Sequence, residues 1–185
     1  MRRAVVLGGA RGVWKELVAA RKLFDPDLVI ATNHAGRDYD GMLDHWVSFH
    51  AELLPKWLQE RRAANRPDPG RFWTTKSRVK QPGSPLELHR VENWGGSSGL
   101  LAVTVALELR CSHVLLCGVP LTRDGEHYDK GGPWIDASNY RRAWLSRVDE
   151  MRGIVRSMSG WTADTLGRPD ADWIKSRHDR DRQGA

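Results

Sequence analysis

The chain has 185 residues, of which 40% are hydrophobic and 28% are charged, and nine of them are tryptophans. This length suits one α/β domain and excludes two full ones, and nine indoles argue against a disordered chain because they need a core or a ligand to pack on. The formal net charge of +6 favours anionic partners such as nucleotides, phosphosugars or nucleic acid.

The cysteines and the hydropathy pattern suggest where the protein works. Cys111 and Cys117 are too few for a disulfide framework and indicate a reducing compartment. No apolar run approaches the roughly 20 residues of a membrane span, and the apolar stretch near the start breaks at Gly8 and Gly9, too early for a secretory signal. We therefore expect a cytoplasmic protein without a membrane span. The oligomeric state stays open.

The first half of the chain alternates apolar runs with helical spacing. Residues 4–7 are typical of a buried parallel strand, and residues 8–12 (GGARG) lead into a helix predicted over 13–24. Further strands are predicted over 28–32 and 45–50, followed by a helix over 53–64. Residues 66–85 are mostly loop, with one candidate strand over 71–75.

The second half repeats this pattern. Residues 95–99 (GGSSG) precede an apolar helix over 100–109, for which Ser97 or Ser98 is the expected N-cap. The remaining predicted elements are a strand over 113–117, a polar loop over 118–138, a helix over 139–151, a strand over 154–158 and a helical turn over 162–166. The alternation predicts an α/β fold over residues 1–170: a single doubly wound, mostly parallel Rossmann-like sheet flanked by helices. Residues 171–185 are expected to be a basic, frayed C-terminal tail.

In a doubly wound sheet, ligands bind beyond the carboxyl ends of the strands. Both glycine-rich turns lie at such positions, where the backbone can approach a ligand and a helix start offers N–H groups to an anion. The alternative for each turn is plain helix–sheet packing. The candidate nucleotide-binding residues are Gly8, Gly9, Ala10, Arg11, Asn33, Ser97, Ser98, Gly99, Gly118 and Ser159.

The polar loop carries the candidate catalytic groups. Histidine moves protons near neutral pH and a tyrosine hydroxyl can hold a phosphate oxygen, which selects His127 and Tyr128. His50, at the predicted end of the third strand, is the alternative base. No metal site is assigned, although Mg²⁺ is possible on the loop carboxylates Asp124, Glu126 and Asp129.

The loop over residues 61–80 interleaves arginines and lysines with Phe72 and Trp73. Such a pattern can bind single-stranded nucleic acid by charge and stacking, and a solvated loop is the commoner meaning. Nucleic acid therefore stays a possible partner through this loop.

Residues 97–128 resemble the bacterial family-42 sialyltransferases and, more distantly, the motility-associated-factor and hydroxymethylpterin pyrophosphokinase-like Rossmann proteins. The residues that carry the resemblance are Ser98-Gly99, the apolar helix after them, and the strand that ends at Gly118. Residues 124–128 fit the Asn-Gly-x-x-Tyr loop of the sialyltransferases. The resemblance implies that Tyr128 contacts the phosphate of the leaving nucleotide and that Asn33 contacts the nucleotide. Residues 8–12 and 157–161 match two further family turns weakly.

The sequence departs from the sialyltransferases within the same loop. Pro120 and Thr122 stand where the family has Asp and a second phosphate-binding Tyr, and no histidine lies between Tyr128 and the last strand, where the family has its catalytic one. The resemblance thus implies a small glycosyltransferase with a nucleotide sugar as co-substrate, without naming sialic acid. A metal-dependent nucleotide or pterin phosphate transferase and a non-catalytic nucleotide- or nucleic-acid-binding module are the alternatives.

Overall fold

The computed structural model describes residues 1–76, 85–123, 125–129, 131–132, 134 and 136–176. In this part of the chain seven strands form one sheet, and every strand pairing is parallel. The strands are β1 (Arg3–Leu7), β2 (Leu28–Thr32), β3 (His45–Val47), β4 (Arg71–Thr75), β5 (Leu88–Val91), β6 (His113–Cys117) and β7 (Val155–Ser157). The predicted α/β class and doubly wound, parallel arrangement are confirmed.

The sheet has the order β5-β4-β3-β2-β1-β6-β7. The chain winds outward from β1 to β5 and then crosses back to place β6 beside β1, so the winding reverses between these two strands. The helices are α1 (Val13–Leu23), α2 (Asn33–Asp38), α3 (Leu54–Ala63), α4 (Ser98–Glu108), α5 (Ala137–Leu145), α6 (Val148–Met151), α7 (Gly160–Leu166) and α8 (Ala171–Lys175), with a 3₁₀ turn at Ala51–Leu53 before α3. None of the described helices is both long enough and apolar enough to cross a bilayer.

The core has two layers because β1 presents alternate side chains to opposite faces. Ala4 and Val6 belong to the apolar cluster that includes α4, whereas Val5 and Leu7 belong to the cluster that includes α1. Helix α4 is apolar on all sides and is buried from residue 99 to residue 107, so it lies under the sheet with only its ends exposed. Because this burial holds the helix in place, the position of its first residues is fixed.

Several predicted boundaries shift in the structure. The third strand ends at Val47 instead of residue 50, because the Ser48 hydroxyl accepts a hydrogen bond from the His50 amide and turns the chain. Residues 33–38 form a helix that was not predicted, the helix predicted over 139–151 is two helices, and β5 was not predicted. The predicted strand over 71–75 is confirmed as β4.

The folded part extends beyond the expected boundary at residue 170. Trp173 of α8 is 4% exposed and packs edge-on against Phe24 and His113, at ring-centroid distances of 6.0 and 4.9 Å. Its indole N–H donates to the Gly153 carbonyl. Burial of one indole thus holds residues 171–175 on the domain, and the last nine residues of the expected tail lie outside the described residues.

Candidate functional site

A cavity of about 880 Å³ opens at the carboxyl ends of β1, β2 and β6, beside the point where the winding of the sheet reverses. This is the position at which doubly wound folds bind their ligands. Of the candidate nucleotide-binding residues, those that line it are Gly8, Gly9, Asn33, Ser97, Ser98, Gly99 and Gly118. The three candidate catalytic residues His50, His127 and Tyr128 line it as well.

The N-terminus of α4 opens into this cavity without a cap. Ser97 occupies the N-cap position, but neither it nor Ser98 makes a side-chain cap. The Ser97 hydroxyl accepts a hydrogen bond from the Trp144 indole at 3.3 Å, and the Ser98 hydroxyl accepts one from Asn33 at 3.2 Å. The expected capping role is therefore wrong. The Leu100 amide donates to the Ser97 carbonyl at 2.9 Å, whereas the Ser98 and Gly99 amides have no partner among the described residues and remain available to a ligand.

Close packing requires glycine at position 99. A Cβ at Gly99 would lie 2.8 Å from a methyl group of Val119. The preceding Gly95 and Gly96 have φ values of +78° and +69°, which side-chain-bearing residues rarely adopt. The glycines bring the backbone to the cavity wall and keep side chains out of it.

Asn33 connects three elements at the cavity wall. Its side-chain oxygen accepts a hydrogen bond from Ser48 at 2.8 Å, its amide donates to Ser98, and its carbonyl accepts one from Trp46. Its φ of +45° lies in the left-handed region, which costs free energy in a residue other than glycine. The three hydrogen bonds hold this conformation and fix the amide group at the carboxyl end of β2.

The first glycine turn is closed, unlike the second. The Gly8, Ala10 and Arg11 amides donate to the carbonyls of Cys117, Gly118 and Glu126 at 2.8, 3.1 and 3.0 Å. The Arg11 side chain is 74% exposed and pairs with the Glu126 carboxylate at 2.9 Å. Ala10 and Arg11 do not line the cavity, so the structure does not bring these two candidates to the site.

Gly118 closes the same turn from the β6 side. It has a φ of +71°, and a Cβ there would lie 2.5 Å from the Cβ of Val13. Its amide donates to the Glu16 carboxylate at 2.7 Å. The backbone of Gly118 thus packs against the Val13 and Glu16 side chains and holds the loop to the start of α1.

The loop segment 126–128 covers the first turn. His127 forms an isolated antiparallel bridge with Ala10, and the Tyr128 amide donates to the Gly9 carbonyl at 3.1 Å. The His127 ring contacts Trp134 in a tilted arrangement, with ring centroids 5.2 Å apart, and lies so close to Gly9 that a Cβ there would be 2.9 Å from its Nδ1. His127 and Gly9 therefore form one wall of the cavity.

The Tyr128 hydroxyl is engaged by a carboxylate of the chain. It donates to the Asp38 carboxylate at 2.8 Å, and Asp38 in turn pairs with Arg37. Burial, followed by this hydrogen bond, raises the pKa of Tyr128 well above its usual range. In this structure the hydroxyl anchors the loop, and its expected contact with a leaving phosphate stays a prediction.

Sequence reasoning missed one buried acid–base pair in the cavity wall. His34 Nδ1 contacts the Asp129 carboxylate, and the two side chains are 17% and 11% exposed. The His34 ring packs edge-on against Trp57 at 4.8 Å. His50, by contrast, is 53% exposed at the rim and contacts Glu52 at 3.3 Å. The sequence places His34 beside Asn33, but only the path of the loop brings Asp129 to it.

Aromatic rings complete the wall. Four aromatic residues that were not candidates flank the cavity: Phe49, Trp57, Trp134 and Tyr140. Apolar rings with a few fixed polar groups are typical of small-molecule sites. Ser159 does not reach the cavity, since its carbonyl accepts hydrogen bonds from Ser157 and Thr162 beside α7.

The basic loop 61–80 uses its first cations inside the chain. Arg61 is fully buried and donates to four backbone carbonyls, those of Gly36, Tyr39, Gly41 and Pro67. Arg62 and Arg66 pair with aspartates, at 2.5 Å to Asp68 and 2.7 Å to Asp40. These contacts weaken the nucleic-acid alternative, and residues 77–84 lie outside the described residues.

The structure gives no support to the possible Mg²⁺ site. In the described part of the chain, no three His, Cys, Asp or Glu side chains come together as a metal site would require. Asp124, one of the expected ligands, lies outside the described residues. Glu126 is engaged with Arg11, and Asp129 with His34.

The arrangement is that of a Rossmann-like α/β fold. Two solved structures share it, both of sialyltransferases. One is the sialyltransferase CST-II in complex with a trisaccharide acceptor and CMP, with a TM-score of 0.62, 10% identity, and coverage of 95% of this chain and 89% of that one. The other is CstII from Campylobacter jejuni with the substrate analogue CMP-3FNeuAc, with a TM-score of 0.57, 11% identity, and coverage of 96% and 89%.

At these identities the likeness establishes the fold alone. No family model matches the sequence, and the comparison with curated proteins finds no match. The predicted resemblance to the sialyltransferases is confirmed at the level of the fold. The more distant resemblance to the motility-associated-factor and pyrophosphokinase-like proteins finds no support.

Proposed function

We propose that this protein is a glycosyltransferase that takes its sugar from a nucleotide-activated donor. The observation that carries the proposal is the uncapped N-terminus of α4, which opens into the cavity at the reversal point of the sheet. Solved structures with the same fold hold CMP or a CMP-sugar analogue, which makes CMP-activated sugars the first donors to test.

The leaving phosphate would sit against the first turn of α4. The Ser98 and Gly99 amides would donate to its oxygens, and the dipole of an 11-residue helix favours a negative charge there. Negative charge accumulates on this phosphate as its bond to the sugar breaks. Preorganised amides at that position stabilise the transition state more than the ground state, which accelerates the reaction.

The remaining wall suits a nucleoside and a sugar. Asn33 presents a fixed amide group beside α4, and the flanking rings of Phe49, Trp57 and Tyr140 offer flat apolar surfaces. The volume of about 880 Å³ falls within the usual range for small-molecule sites, about 300–1,000 Å³. His127 and Gly9 would bound the donor on the side opposite α4.

The proposed chemistry is a direct displacement. A hydroxyl oxygen of the acceptor forms a bond to the anomeric carbon of the donor while the bond from that carbon to the phosphate oxygen breaks. The electron pair leaves with the nucleotide, and the hydroxyl proton passes to a base. A positioned base contributes about 10²–10⁴-fold to such a step.

A thermal-shift screen tests the proposal. CMP, UMP, UDP, GDP and their common sugar conjugates are each added to the full chain, in EDTA and in Mg²⁺. A ligand at about 100 times its dissociation constant adds roughly 2.7 kcal/mol to the free energy of unfolding. We expect stabilisation by one nucleotide and its sugar conjugate in EDTA. Absence of stabilisation by every nucleotide contradicts the proposal, and stabilisation only in Mg²⁺ favours the metal-dependent phosphate transferase instead.

A further inference from the structure

The cavity wall contains three histidines, and their surroundings differ. His50 lies at the rim, more than half exposed, and His127 is exposed and packs at a tilt against Trp134. His34 is largely buried beside the carboxylate of Asp129, which is buried as well. A base that must hold one orientation needs such a partner, because a carboxylate fixes both the ring and the position of its proton.

We propose that His34 and Asp129 form the catalytic dyad that removes the proton from the acceptor hydroxyl, with His34 as the base and Asp129 as its positioning residue. This inference rests on the proposed glycosyl transfer. It assigns the base to neither His127 nor His50.

The geometry around the dyad fixes the imidazole on two sides. Nδ1 faces the Asp129 carboxylate, and Trp57 of α3 packs edge-on against the ring at 4.8 Å. His34 is the second residue of α2, so its backbone follows directly from Asn33, which is tied to β3 and α4. The base is therefore connected by rigid contacts to the turn that would hold the leaving phosphate.

Asp129 also offers a group that the protein leaves unused. Its Oδ1 is buried and has no hydrogen-bond partner among the described residues. An unsatisfied buried carboxylate oxygen costs free energy, so such atoms in native proteins are commonly explained by a missing ligand. A hydroxyl of the bound acceptor sugar would satisfy it.

The proton follows a balanced path. With Nδ1–H donating to Asp129, the lone pair of His34 lies on Nε2. Nε2 takes the proton of the acceptor hydroxyl as its oxygen bonds to the anomeric carbon and the nucleotide leaves with the electron pair of the broken bond. Asp129 stabilises the imidazolium that results, and water takes the proton afterwards.

Four variants of the full chain test the dyad: His34→Gln, His34→Ala, Asp129→Asn and, as a matched control away from the cavity, His89→Gln on β5. Release of the nucleotide is measured with CMP-N-acetylneuraminic acid, UDP-N-acetylglucosamine and GDP-mannose in the presence of lactose. The affinity of each variant for the free nucleotide and its melting temperature are measured in parallel.

We expect His34→Gln and Asp129→Asn to lower kcat by about 10²–10⁴-fold while nucleotide affinity changes by less than about threefold. A merely structural pair would instead lower affinity and melting temperature along with kcat. Added imidazole is expected to restore part of the activity of His34→Ala, and His89→Gln is expected to retain full activity.

The outcomes separate this inference from the proposed function. If the wild type releases nucleotide and His34→Gln keeps its kcat, the dyad is overturned while the transferase proposal stands. A larger loss in His127→Gln than in His34→Gln also overturns it, in favour of His127. If the wild type neither binds nor releases any nucleotide, the proposed function fails and the dyad fails with it.

Discussion

The two glycine-rich turns of this protein look alike in sequence and differ in what their amides do. The first turn leads into α1 and the second into α4, and both helices have 11 residues. In the first turn, carbonyls of the chain occupy the amides of residues 8, 10 and 11. Neither helix start has a side-chain cap, but that of α4 faces the cavity, and its Ser98 and Gly99 amides have no partner among the described residues.

The difference shows that a glycine turn before a helix is not by itself an anion site. The first turn lies under the loop 126–128, whose backbone takes up its hydrogen-bonding capacity. The second lies at the open end of a buried helix, and the serine hydroxyls that would normally cap it bond to Trp144 and Asn33 instead. A turn whose amides donate to carbonyls of the chain serves packing, whereas a turn whose amides stay unpaired can bind an anion.

Alanine at one glycine of each turn gives the largest expected contrast. A Cβ at Gly8 would collide with the Gly118 carbonyl and lie 2.6 Å from a Val119 methyl group, whereas a Cβ at Gly95 would meet only Ala143, at 3.9 Å. We expect Gly8→Ala to lower the free energy of unfolding by about 3 kcal/mol. Gly95→Ala should cost about 1 kcal/mol, from its positive φ alone. Urea denaturation measures both, and equal costs would remove the contrast.

A carboxylate at the open helix start should separate binding from stability. Ser98→Asp places a negative charge in the first turn of α4, which has no acidic residue of its own. We expect the melting temperature to rise, by the equivalent of about 0.5 kcal/mol, while CMP affinity falls about tenfold to a hundredfold because the two anions compete. Ser98→Ala is the control and should lose less than about threefold. Equal losses in both variants would mean that the hydroxyl, not the amides, carries binding.

Removing the hydroxyl of Tyr128 should loosen the closed turn. Tyr128→Phe leaves the Asp38 carboxylate without one of its hydrogen bonds. We expect a loss of about 1–2 kcal/mol in the free energy of unfolding. Hydrogen exchange is expected to accelerate at the amide of Arg11, which the same loop segment covers. Unchanged stability would show that the loop is held by its backbone alone.

The same anchor gives the protein a defined acid dependence. Burial opposes ionisation of Asp38, but hydrogen bonds from Arg37 and Tyr128 outweigh it and lower its pKa. Since the folded-state pKa is depressed, the stabilisation is fully present above the unfolded value of about 3.9 and is lost as the pH falls through the folded value. Unfolding curves from neutral pH to about pH 3 should therefore converge for wild type and Asp38→Asn. Parallel curves would contradict this assignment.

The smallest expected effect concerns Arg11. Its guanidinium is 74% exposed, pairs with Glu126 and lies outside the cavity. Because exposed ion pairs contribute little, Arg11→Ala should change stability by less than about 0.5 kcal/mol. Its affinity for CMP, measured by calorimetry, should stay within about twofold of wild type. A tenfold loss of CMP affinity would show that Arg11 does contribute to binding.

The order of strands and helices was readable from the sequence because apolar runs and glycine turns are local signals. β5 was not, since only Leu88 and Val91 are apolar in it and Trp73 beside it supplies much of the packing. The cavity also follows from the general rule for parallel sheets, which selected Asn33, Ser98 and Gly118 correctly as lining residues. The hydrogen bonds and ion pairs between the residues of that cavity could not be predicted in the same way.

Pairings between distant segments decide that chemistry, and no local pattern reports them. His34 meets Asp129 only because the loop after β6 folds back over the first turn. The same fold-back brings the Tyr128 hydroxyl to Asp38, on a helix that the sequence did not predict. The family resemblance implies that this tyrosine contacts phosphate, and its hydrogen bond to Asp38 could not be read from that motif.

The buried Arg61 has a consequence for which parts of the surface can evolve. Its guanidinium holds the chain around α2 through carbonyl oxygens, which every residue type provides. Side chains at the exposed positions of that segment can therefore change freely without loosening the anchor. Position 61 has no such freedom. A lysine cannot reproduce the planar set of guanidinium N–H donors, and an apolar residue would leave four buried carbonyl oxygens without a hydrogen bond. The segment that carries the proposed base thus depends, for its placement, on one buried side chain of a neighbouring helix.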